Sequence, residues 1–397
     1  MTFKHSTLEA QVKRVPEKVI WCKKCTISNQ RPRIIFYDNN ICSACYHAEY
    51  KKTIDWEQRE KELLSLLDKH RKTNGDWDVL VPSSGGKDSG YVAHMLRYMY
   101  NMNPLTVTWS PLKYTEIGWK NFQSHINAGL TNLLCSPNGR FHRKLARLCF
   151  EELGDAFHVF VLGQTNFPLH MALRHNISLI FVGENGELEY GGDPKHKDKP
   201  FKSMVEYKEH FHKGVSFDEL LSFGLKNKNY LTENDFAQSD INYYKIPSLE
   251  SLRKKNILGG HFFSYYHKWN PQENFYYSTE HTGYRVNPER SEGTYSKYAS
   301  LDDKMDGFHF YMRYIKFGLG RCAEDTAHEI RAAHISRKEG TTLMKEYEGE
   351  FPKKYFQEFL EYLDISQAHF WDVVDAWRPQ HLWEKKGNKW EFKVPIK

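Results

Sequence analysis

Short apolar runs alternate with helical patterns through the middle of the chain. The runs lie at residues 77–82, 104–109, 131–135 and 177–182. After the first run, apolar residues recur at the spacing of one helix face: Val92, Met95, Leu96 and Met99. Helical patterns also cover residues 118–128, 141–153 and 165–176. Strands that alternate with helices in this way predict an α/β fold with a doubly wound parallel sheet.

The loop after the first run contains glycines and small polar residues. Its sequence is Ser84, Gly85, Gly86, Lys87, Asp88 and Ser89. Glycines let backbone N–H groups approach an anion without an intervening Cβ, and the start of the following helix favours negative charge. Lys87 adds a mobile cation, Asp88 adds an oxygen ligand for Mg²⁺, and the serine hydroxyls can donate to phosphate oxygens. This order of strand, loop and helix predicts a phosphate-binding site.

The loop is not a Walker A motif, which requires G-x-x-x-x-G-K-[ST]. It resembles the PP-loop of the ATP pyrophosphatases, which cleave ATP between the α- and β-phosphates and adenylate a substrate oxygen. The resemblance implies ATP binding by residues 84–89, with Lys87 and Asp88 in catalytic roles and Asp88 as a magnesium ligand. The alternative is a tight turn between a strand and a helix that binds no ligand.

A second polar segment follows the fourth apolar run directly. It begins with Gly183, Glu184 and Asn185, and further carboxylates follow up to residue 193. In a doubly wound sheet the ligand binds beyond the carboxyl ends of the strands, so we expect this segment beside the loop. Glu184 is then a candidate to ligate Mg²⁺ or to orient the reacting group, and Gly183 and Asn185 are candidate nucleotide contacts. The alternative is an acidic, solvated turn.

Other candidate site residues carry weaker signals. Trp109 ends the second apolar run, where an adenine can be held, but a core position describes it equally well. Farther along the chain, polar residues follow a glycine-rich turn at residues 318–320: Glu324, Asp325, His328 and Glu329. We expect these side chains either to border the site or to face solvent.

Four of the seven cysteines form two close pairs near the N-terminus, Cys22 with Cys25 and Cys42 with Cys45. Each CxxC turn presents two thiolates, and two such turns complete a tetrahedron around Zn²⁺. The intervening residues 33–40 indicate a strand and a turn, which predicts a zinc-ribbon-like module. A site closed by four cysteines is structural rather than catalytic. A redox dithiol pair and an iron–sulfur cluster are the alternatives.

Length and composition set the remaining limits. The 397 residues predict three parts: a module at 1–50, an ATP-binding α/β domain at 51–200, and a mainly helical, aromatic-rich region at 201–397 for substrate or partner. A net charge of +6 is modest, so we expect no nucleic-acid partner. No apolar run approaches the roughly 18 residues that span a bilayer. The lack of a secretory signal and the paired cysteines indicate a cytoplasmic protein.

Longer stretches of the chain resemble a single family. SGGKDSGYVAHMLR, FVGENGELEYGG, FGLGRCAEDTAHEIRAAHISRKEG and the WCKKC and CSAC pairs are similar to the N-acetyl sugar amidotransferases of the WbpG and PseA type, within the PP-loop superfamily. The resemblance extends over nearly the whole chain. It implies a HUP-like sheet and the cofactors ATP, Mg²⁺ and Zn²⁺.

The resemblance also implies an activity. Such enzymes convert an acetamido group of a nucleotide-activated sugar into an acetamidino group, in lipopolysaccharide O-antigen or related glycan biosynthesis. ATP would activate the acetamido oxygen as an adenylated imidate, and ammonia would displace AMP. The ammonia would come from a glutaminase partner pair resembling imidazole-glycerol-phosphate synthase.

Two other classes of function compete with this one. A PP-loop enzyme that thiolates tRNA would need a sulfur-relay cysteine or cluster ligands within the nucleotide domain. A zinc-ribbon adaptor that only binds nucleotide or protein would leave the loop and the acidic segment without a role.

Overall fold

A central sheet organises the protein, whose computed structural model describes residues 3–6, 8–9, 11–227 and 229–397. Its strands are β1 Val79–Pro82, β2 Pro104–Trp109, β3 Asn132–Cys135, β4 Leu179–Val182, β5 Phe201–Ser203 and β6 Gly259–Phe262. The strand order is β3-β2-β1-β4-β6-β5. Neighbouring strands pair in parallel, except that β5 and β6 are antiparallel. The predicted doubly wound parallel sheet is confirmed.

Strand β1 occupies the position that creates a binding crevice. Leu80 of β1 pairs with Leu105 of β2 on one side and with Ile180 of β4 on the other. The chain first winds outward from β1 to β2 and β3, and it then continues on the opposite side with β4 and β6. The strand order therefore reverses between β1 and β4. In such sheets the carboxyl ends of the two strands at the reversal border the ligand crevice.

Helices account for most of the remaining regular structure. They are α1 Ser43–Lys51, α2 Trp56–His70, α3 Lys87–His94, α4 Glu116–Asn127, α5 Gly139–Leu153, α6 His158–Arg174, α7 Gly186–Glu189, α8 Tyr207–His210, α9 Phe217–Lys226, α10 Gln238–Ile241, α11 Leu249–Lys254, α12 Phe263–Tyr266, α13 Pro271–His281, α14 Asp306–Phe317, α15 Arg321–Arg331, α16 Arg337–Tyr347, α17 Phe356–Leu363 and α18 Gln367–Ala376. A π-helical segment, Met95–Met99, continues α3.

Two hydrophobic cores divide the side chains of the central strands between them. Val79 and Val81 of β1 belong to one core, together with residues of α2 and α3. Leu80, between them in sequence, belongs to the other core, with residues of α5 and α6. Alternate side chains of a strand point to opposite faces, so both faces of the sheet are covered. This explains why the strands read as unbroken apolar runs.

The sheet does not end at residue 200, where we predicted a domain boundary. Strands β5 and β6 both come from the region after that residue. They are only three and four residues long, too short to produce a clear period-two pattern. Gly259 approaches β5 so closely that a Cβ would lie 1.9 Å from the carbonyl oxygen of Lys202. The predicted boundary at residue 200 therefore divides the sheet.

The N-terminal module packs against the C-terminal helices rather than standing apart. Its turns are joined by isolated β-bridges, Trp21 with Ser28 and Phe36 with Cys42. The Thr26 hydroxyl donates to the carbonyl of Ala323 on α15 at 3.2 Å. Module and α15 thus form one packed unit.

The C-terminal region is helical and rich in aromatic contacts, as predicted. The rings of Phe308 on α14 and Phe359 on α17 stack with centroids 4.0 Å apart. The chain then forms an antiparallel hairpin of β7 Trp383–Lys386 and β8 Lys389–Phe392. Across the described ranges, the helices are all too short or too polar to cross a membrane.

Candidate active site

The glycine loop joins β1 to α3 at the carboxyl edge of the sheet. Gly85 has a φ of +85°, and a Cβ there would lie 2.6 Å from the Cα of Phe122 on α4. A glycine is therefore required both by the backbone conformation and by the close packing. Gly86 is the N-cap of α3, and its carbonyl accepts from the N–H of Gly90 at 2.9 Å. The loop thus leads directly into a helix N-terminus.

Lys87 and Asp88 occupy the first turn of α3. The Lys87 ammonium lies 2.5 Å from the Asp88 carboxylate. Helix α13 fixes both residues, because Asn274 donates to Asp88 at 3.0 Å and the Ser278 hydroxyl donates to the Lys87 carbonyl at 2.6 Å. The Asp88 side chain remains 37% exposed against 10% for Lys87. The carboxylate is therefore available to a ligand from the crevice.

Glu184 lies immediately after β4, on the other side of the crevice. Tyr190 donates to its carboxylate at 3.1 Å. Burial, reinforced by the negative charge of Asp88, raises the pKa of Glu184 to about 7. Two carboxylates close enough to repel each other favour a bound cation, and oxygen ligands suit Mg²⁺. Asp88 and Glu184 are thus the residues that would hold the predicted magnesium ion.

The loop serines already have protein partners. The Ser89 hydroxyl donates to the Gly86 carbonyl at 3.3 Å and accepts from Ser83 at 3.0 Å. Ser84 forms a hydrogen bond with the carboxylate of Asp302. These bonds fix the loop conformation, and a phosphate would have to compete with them for the hydroxyl protons.

Gly183 and Asn185 flank Glu184 and also have structural contacts. A Cβ on Gly183 would lie 2.8 Å from the Trp269 ring. The Asn185 side chain accepts from the N–H of Glu187 and so caps α7. The structure brings both residues to the crevice next to Glu184, where they shape the end of β4.

Trp109 is not brought to the loop. Its side chain is 4% exposed and belongs to the core beneath α6. A Cβ on Gly163 of α6 would lie 2.0 Å from the indole ring, so the helix and the ring are in direct contact. Of the two environments predicted for Trp109, the structure shows the hydrophobic core.

One face of α15 borders the site opposite the loop. Residues at successive four-residue spacings, Arg321, Asp325 and Glu329, share this face. Arg321 bonds Asp325 at 3.0 Å, and Tyr298 donates to Glu329 at 3.3 Å. The Lys87 ammonium lies 5.6 Å from the centroid of the Tyr298 ring. The helix therefore approaches the loop through Tyr298.

The four cysteines form a separate, enclosed cluster. Their Sγ atoms all lie within 4.8 Å of one another, and the pairs Cys22–Cys45 and Cys25–Cys42 are 3.9 and 3.6 Å apart. A tetrahedron with Zn–S bonds of about 2.3 Å has S···S edges of ~3.8 Å. The four side chains are at most 3% exposed. The geometry therefore fits a closed structural metal site.

The C-terminal region matches a known protein family. Residues 292–396 match the family described as LPS biosynthesis protein WbpG-like, C-terminal domain. The chain carries a WbpG-like C-terminal domain. This match confirms the predicted resemblance to the WbpG type.

Two further similarities are weaker. An uncharacterized protein of Methanocaldococcus jannaschii is 30% identical over 87 residues, which are 22% of this chain and 31% of that protein. The chain thus spans about a third of the length of this curated relative. NMN synthetase from Francisella tularensis aligns with 59% of this chain and 89% of its own, at 13% identity and a TM-score of 0.28. A similarity at that level carries no conclusion.

An ion pair binds the WbpG-like domain to the N-terminal module. Glu324 of α15 accepts from Arg313 at 2.7 Å and from Arg31 of the N-terminal module at 2.6 Å. The Arg31 guanidinium also lies 5.5 Å from the centroid of Tyr190, the residue that binds Glu184. Burial opposes ionisation of Glu324, but the two guanidinium groups hold its pKa below the usual range. Glu324 thus borders the site in a structural role.

Several site residues were missed by sequence reasoning. Tyr190, Tyr298, Asp302 and Arg321 come from four segments, and only tertiary structure brings them to the loop. The only signal in the sequence for any of these four was the spacing of Arg321 and Asp325, because opposite charges four residues apart on a helix can form an ion pair. His328, by contrast, packs its ring against the edge of Tyr190 at 4.7 Å.

Proposed function

We propose that the protein is an ATP-dependent, AMP-forming amidotransferase that acts on a nucleotide-activated acetamido sugar. One observation carries the proposal: Asp88 and Glu184 lie close enough beside the glycine loop for the charge of Asp88 to raise the pKa of Glu184, and Tyr298 of the WbpG-like domain lies 5.6 Å from the Lys87 ammonium of the same loop. The family's link to lipopolysaccharide biosynthesis supports a sugar substrate for surface glycans such as the O-antigen.

The chemistry consists of two displacements. The acetamido oxygen attacks the α-phosphorus of ATP, pyrophosphate leaves, and the amide nitrogen loses its proton to give an adenylated imidate. Ammonia then attacks the imidate carbon, and AMP leaves with the former amide oxygen. The product is an acetamidino group in which NH has replaced the oxygen. An amide oxygen is a poor leaving group, and adenylation makes it a good one.

The residues of the crevice suit the first displacement. Backbone N–H groups of the loop and the Lys87 ammonium would bind the phosphates. Asp88 and Glu184 would hold Mg²⁺, which neutralises the developing charge of pyrophosphate when bound. Gly183 and Asn185 would shape the nucleotide-facing end of β4. The four-cysteine site would hold Zn²⁺ in a structural role, remote from the bond changes.

The nitrogen source in this proposal is ammonia from a separate glutaminase subunit pair that resembles imidazole-glycerol-phosphate synthase. We further propose a cytoplasmic reaction, because ATP is made there and the seven cysteines, all among the described residues, form no disulfide.

The competing tRNA-thiolation hypothesis lacks a suitable thiol. Outside the four-cysteine cluster, Cys149 and Cys322 are fully buried, and burial raises the pKa of each thiol. Burial also raises the pKa of the third, Cys135, to about 11. A sulfur relay needs an accessible thiolate, and these three thiols of the described chain do not supply one.

The test is a reaction with ATP, Mg²⁺, ammonium and a panel of UDP- and CMP-linked acetamido sugars, followed by mass spectrometry. We expect AMP, pyrophosphate and a sugar nucleotide that is lighter by the difference between an oxygen atom and an NH group. AMP formation that requires tRNA and a sulfur donor instead would move the protein to the competing class.

A further inference from the structure

Arg321 is a charged side chain in an unfavourable place for the helix that carries it. It is the first residue of α15, where the helix dipole is positive and a cation destabilises the helix. A guanidinium has no acceptor for the free N–H groups there, and Glu348 accepts instead from those of Gly320 and Ala323. A cation at a position where the helix disfavours one indicates that Arg321 has a role other than stabilising α15.

The contacts of Arg321 fix its guanidinium and leave part of it unused. Its Nε donates to Asp325 at 3.0 Å, and its Cζ lies 4.8 Å from the centroid of the Phe310 ring. Within the described residues, no acceptor is bonded to its terminal Nη groups. The side chain is 26% exposed. An oriented guanidinium with free, accessible N–H groups is suited to binding an oxyanion.

Asp325 connects this guanidinium to the glycine loop. Its carboxylate accepts from Arg321 and, at 2.6 Å, from the Thr294 hydroxyl. Burial raises the pKa of Asp325, while the charges of Arg321 and Lys87 act in the opposite direction. Lys87 in turn lies over Tyr298, whose hydroxyl binds the next turn of α15. The charges of the two cations therefore act on the same carboxylate, one from the loop and one from the WbpG-like domain.

We propose that Arg321 binds the phosphate groups of ATP that leave as pyrophosphate, on the side opposite Lys87. This inference rests on the proposed function for the identity of the anion. It gives the WbpG-like domain a direct part in nucleotide binding. Two cations on opposite sides of a pyrophosphate neutralise charge that one ammonium cannot reach.

Calorimetric titration with Mg²⁺ and a nonhydrolysable ATP analogue tests the proposal, because it needs neither the sugar nor ammonia. We expect Arg321→Gln to weaken binding of the analogue and of inorganic pyrophosphate by about tenfold or more, as for one lost charge-assisted contact. AMP binding should be unchanged. Arg321→Lys, which keeps the charge, should recover part of the loss. The matched control is Arg253→Gln, an exposed arginine of α11, which should bind like the wild type.

Other outcomes overturn the proposal. Wild-type affinity for pyrophosphate in Arg321→Gln would exclude the contact. An equal loss in the Lys and Gln variants, together with a lower melting temperature, would make Arg321 a structural residue only. A wild-type protein that binds neither the analogue nor pyrophosphate would overturn this inference and the proposed function together, whereas normal nucleotide binding without an amidino product would contradict the proposed function alone.

Discussion

The glycine-loop crevice and the four-cysteine cluster both present polar atoms from turns, but they differ in access. In the crevice, the side chains of Asp88 and Arg321 are 37% and 26% exposed. In the cluster, the four cysteines are at most 3% exposed. A site that exchanges its ligand in every catalytic cycle has to remain open, whereas a permanent structural ion is best enclosed. The exposure of the side chains therefore distinguishes a site for exchanging ligands from a structural metal site, which the residue types alone do not.

The largest expected effect tests the open site. Asp88→Asn removes a proposed magnesium ligand without changing the size of the side chain. We expect AMP formation to fall by about 10²–10³-fold, the scale seen when one charge-stabilising group is lost, while the melting temperature stays near that of the wild type. Asp76→Asn, in an exposed turn before β1, is the control. Full activity in Asp88→Asn would remove the residue from the magnesium site.

The second prediction tests the closed site. Cys42→Ser should abolish stoichiometric zinc, measured by mass spectrometry of metals, and lower the free energy of unfolding by several kcal/mol, because metal binding and folding are coupled. Cys135→Ser, a half-buried cysteine outside the cluster, should retain the zinc. A chain that starts near residue 51 and remains stable and fully active would contradict the structural role.

The third prediction concerns pH in the absence of Mg²⁺. The pKa of Glu184 is raised from 4.5 to about 7 in the folded protein. Between these values the folded state holds a proton that the unfolded state has released. The free energy of unfolding should therefore fall as the pH rises through this window, by roughly 3 kcal/mol.

Denaturant titrations from pH 5 to 8 measure this slope. The side chain of Glu184→Gln cannot ionise, so the free energy of unfolding of this variant should not decline over this pH range. When the free energy of unfolding of each protein is expressed relative to its own value at pH 8, the two proteins should differ most at low pH. Parallel curves for the two proteins would show that Glu184 does not retain its proton on folding.

The smallest expected effect concerns the support of Asp88. Asn274→Ala removes the amide that donates to this carboxylate at 3.0 Å. We expect kcat/KM to fall by about fivefold, equivalent to one hydrogen bond of roughly 1 kcal/mol. Thr279→Ala, exposed on the same helix, is the control. An Asn274 variant as active as this control would show that α13 does not position the carboxylate.

Local features of the fold were predictable from the sequence, and contacts between distant segments were not. The four apolar runs became β1 to β4, and the signal is clearest in β1, β2 and β4, which are almost entirely buried. The helix predicted at residues 165–176 begins earlier, at His158, so Pro168 lies in the interior of α6. Burial of flanking residues such as Phe160 and Phe167 outweighs the backbone hydrogen bond that proline removes.

The same limit applies to the candidate site. Glycine-loop chemistry and the cysteine spacing are encoded within short stretches, so the loop and the metal cluster could be located from them. The sequence did not distinguish the two possible environments of Trp109, because a residue at the end of a strand can face either the crevice or the core. The opposite wall comes from α15, more than 200 residues after the loop, and no local pattern specifies that approach.

The ion pair between Arg31 and Glu324 has an evolutionary consequence. It joins the N-terminal module to the WbpG-like domain, while α15 of the same domain faces the glycine loop. A recombination event that replaced residues 292–396 with those of a distant relative would bring in a new partner for Arg31 and a new neighbour for Lys87 at once. Inheritance of this domain is therefore tied to compensating changes in two other segments, and the three parts are expected to diverge together rather than as exchangeable modules.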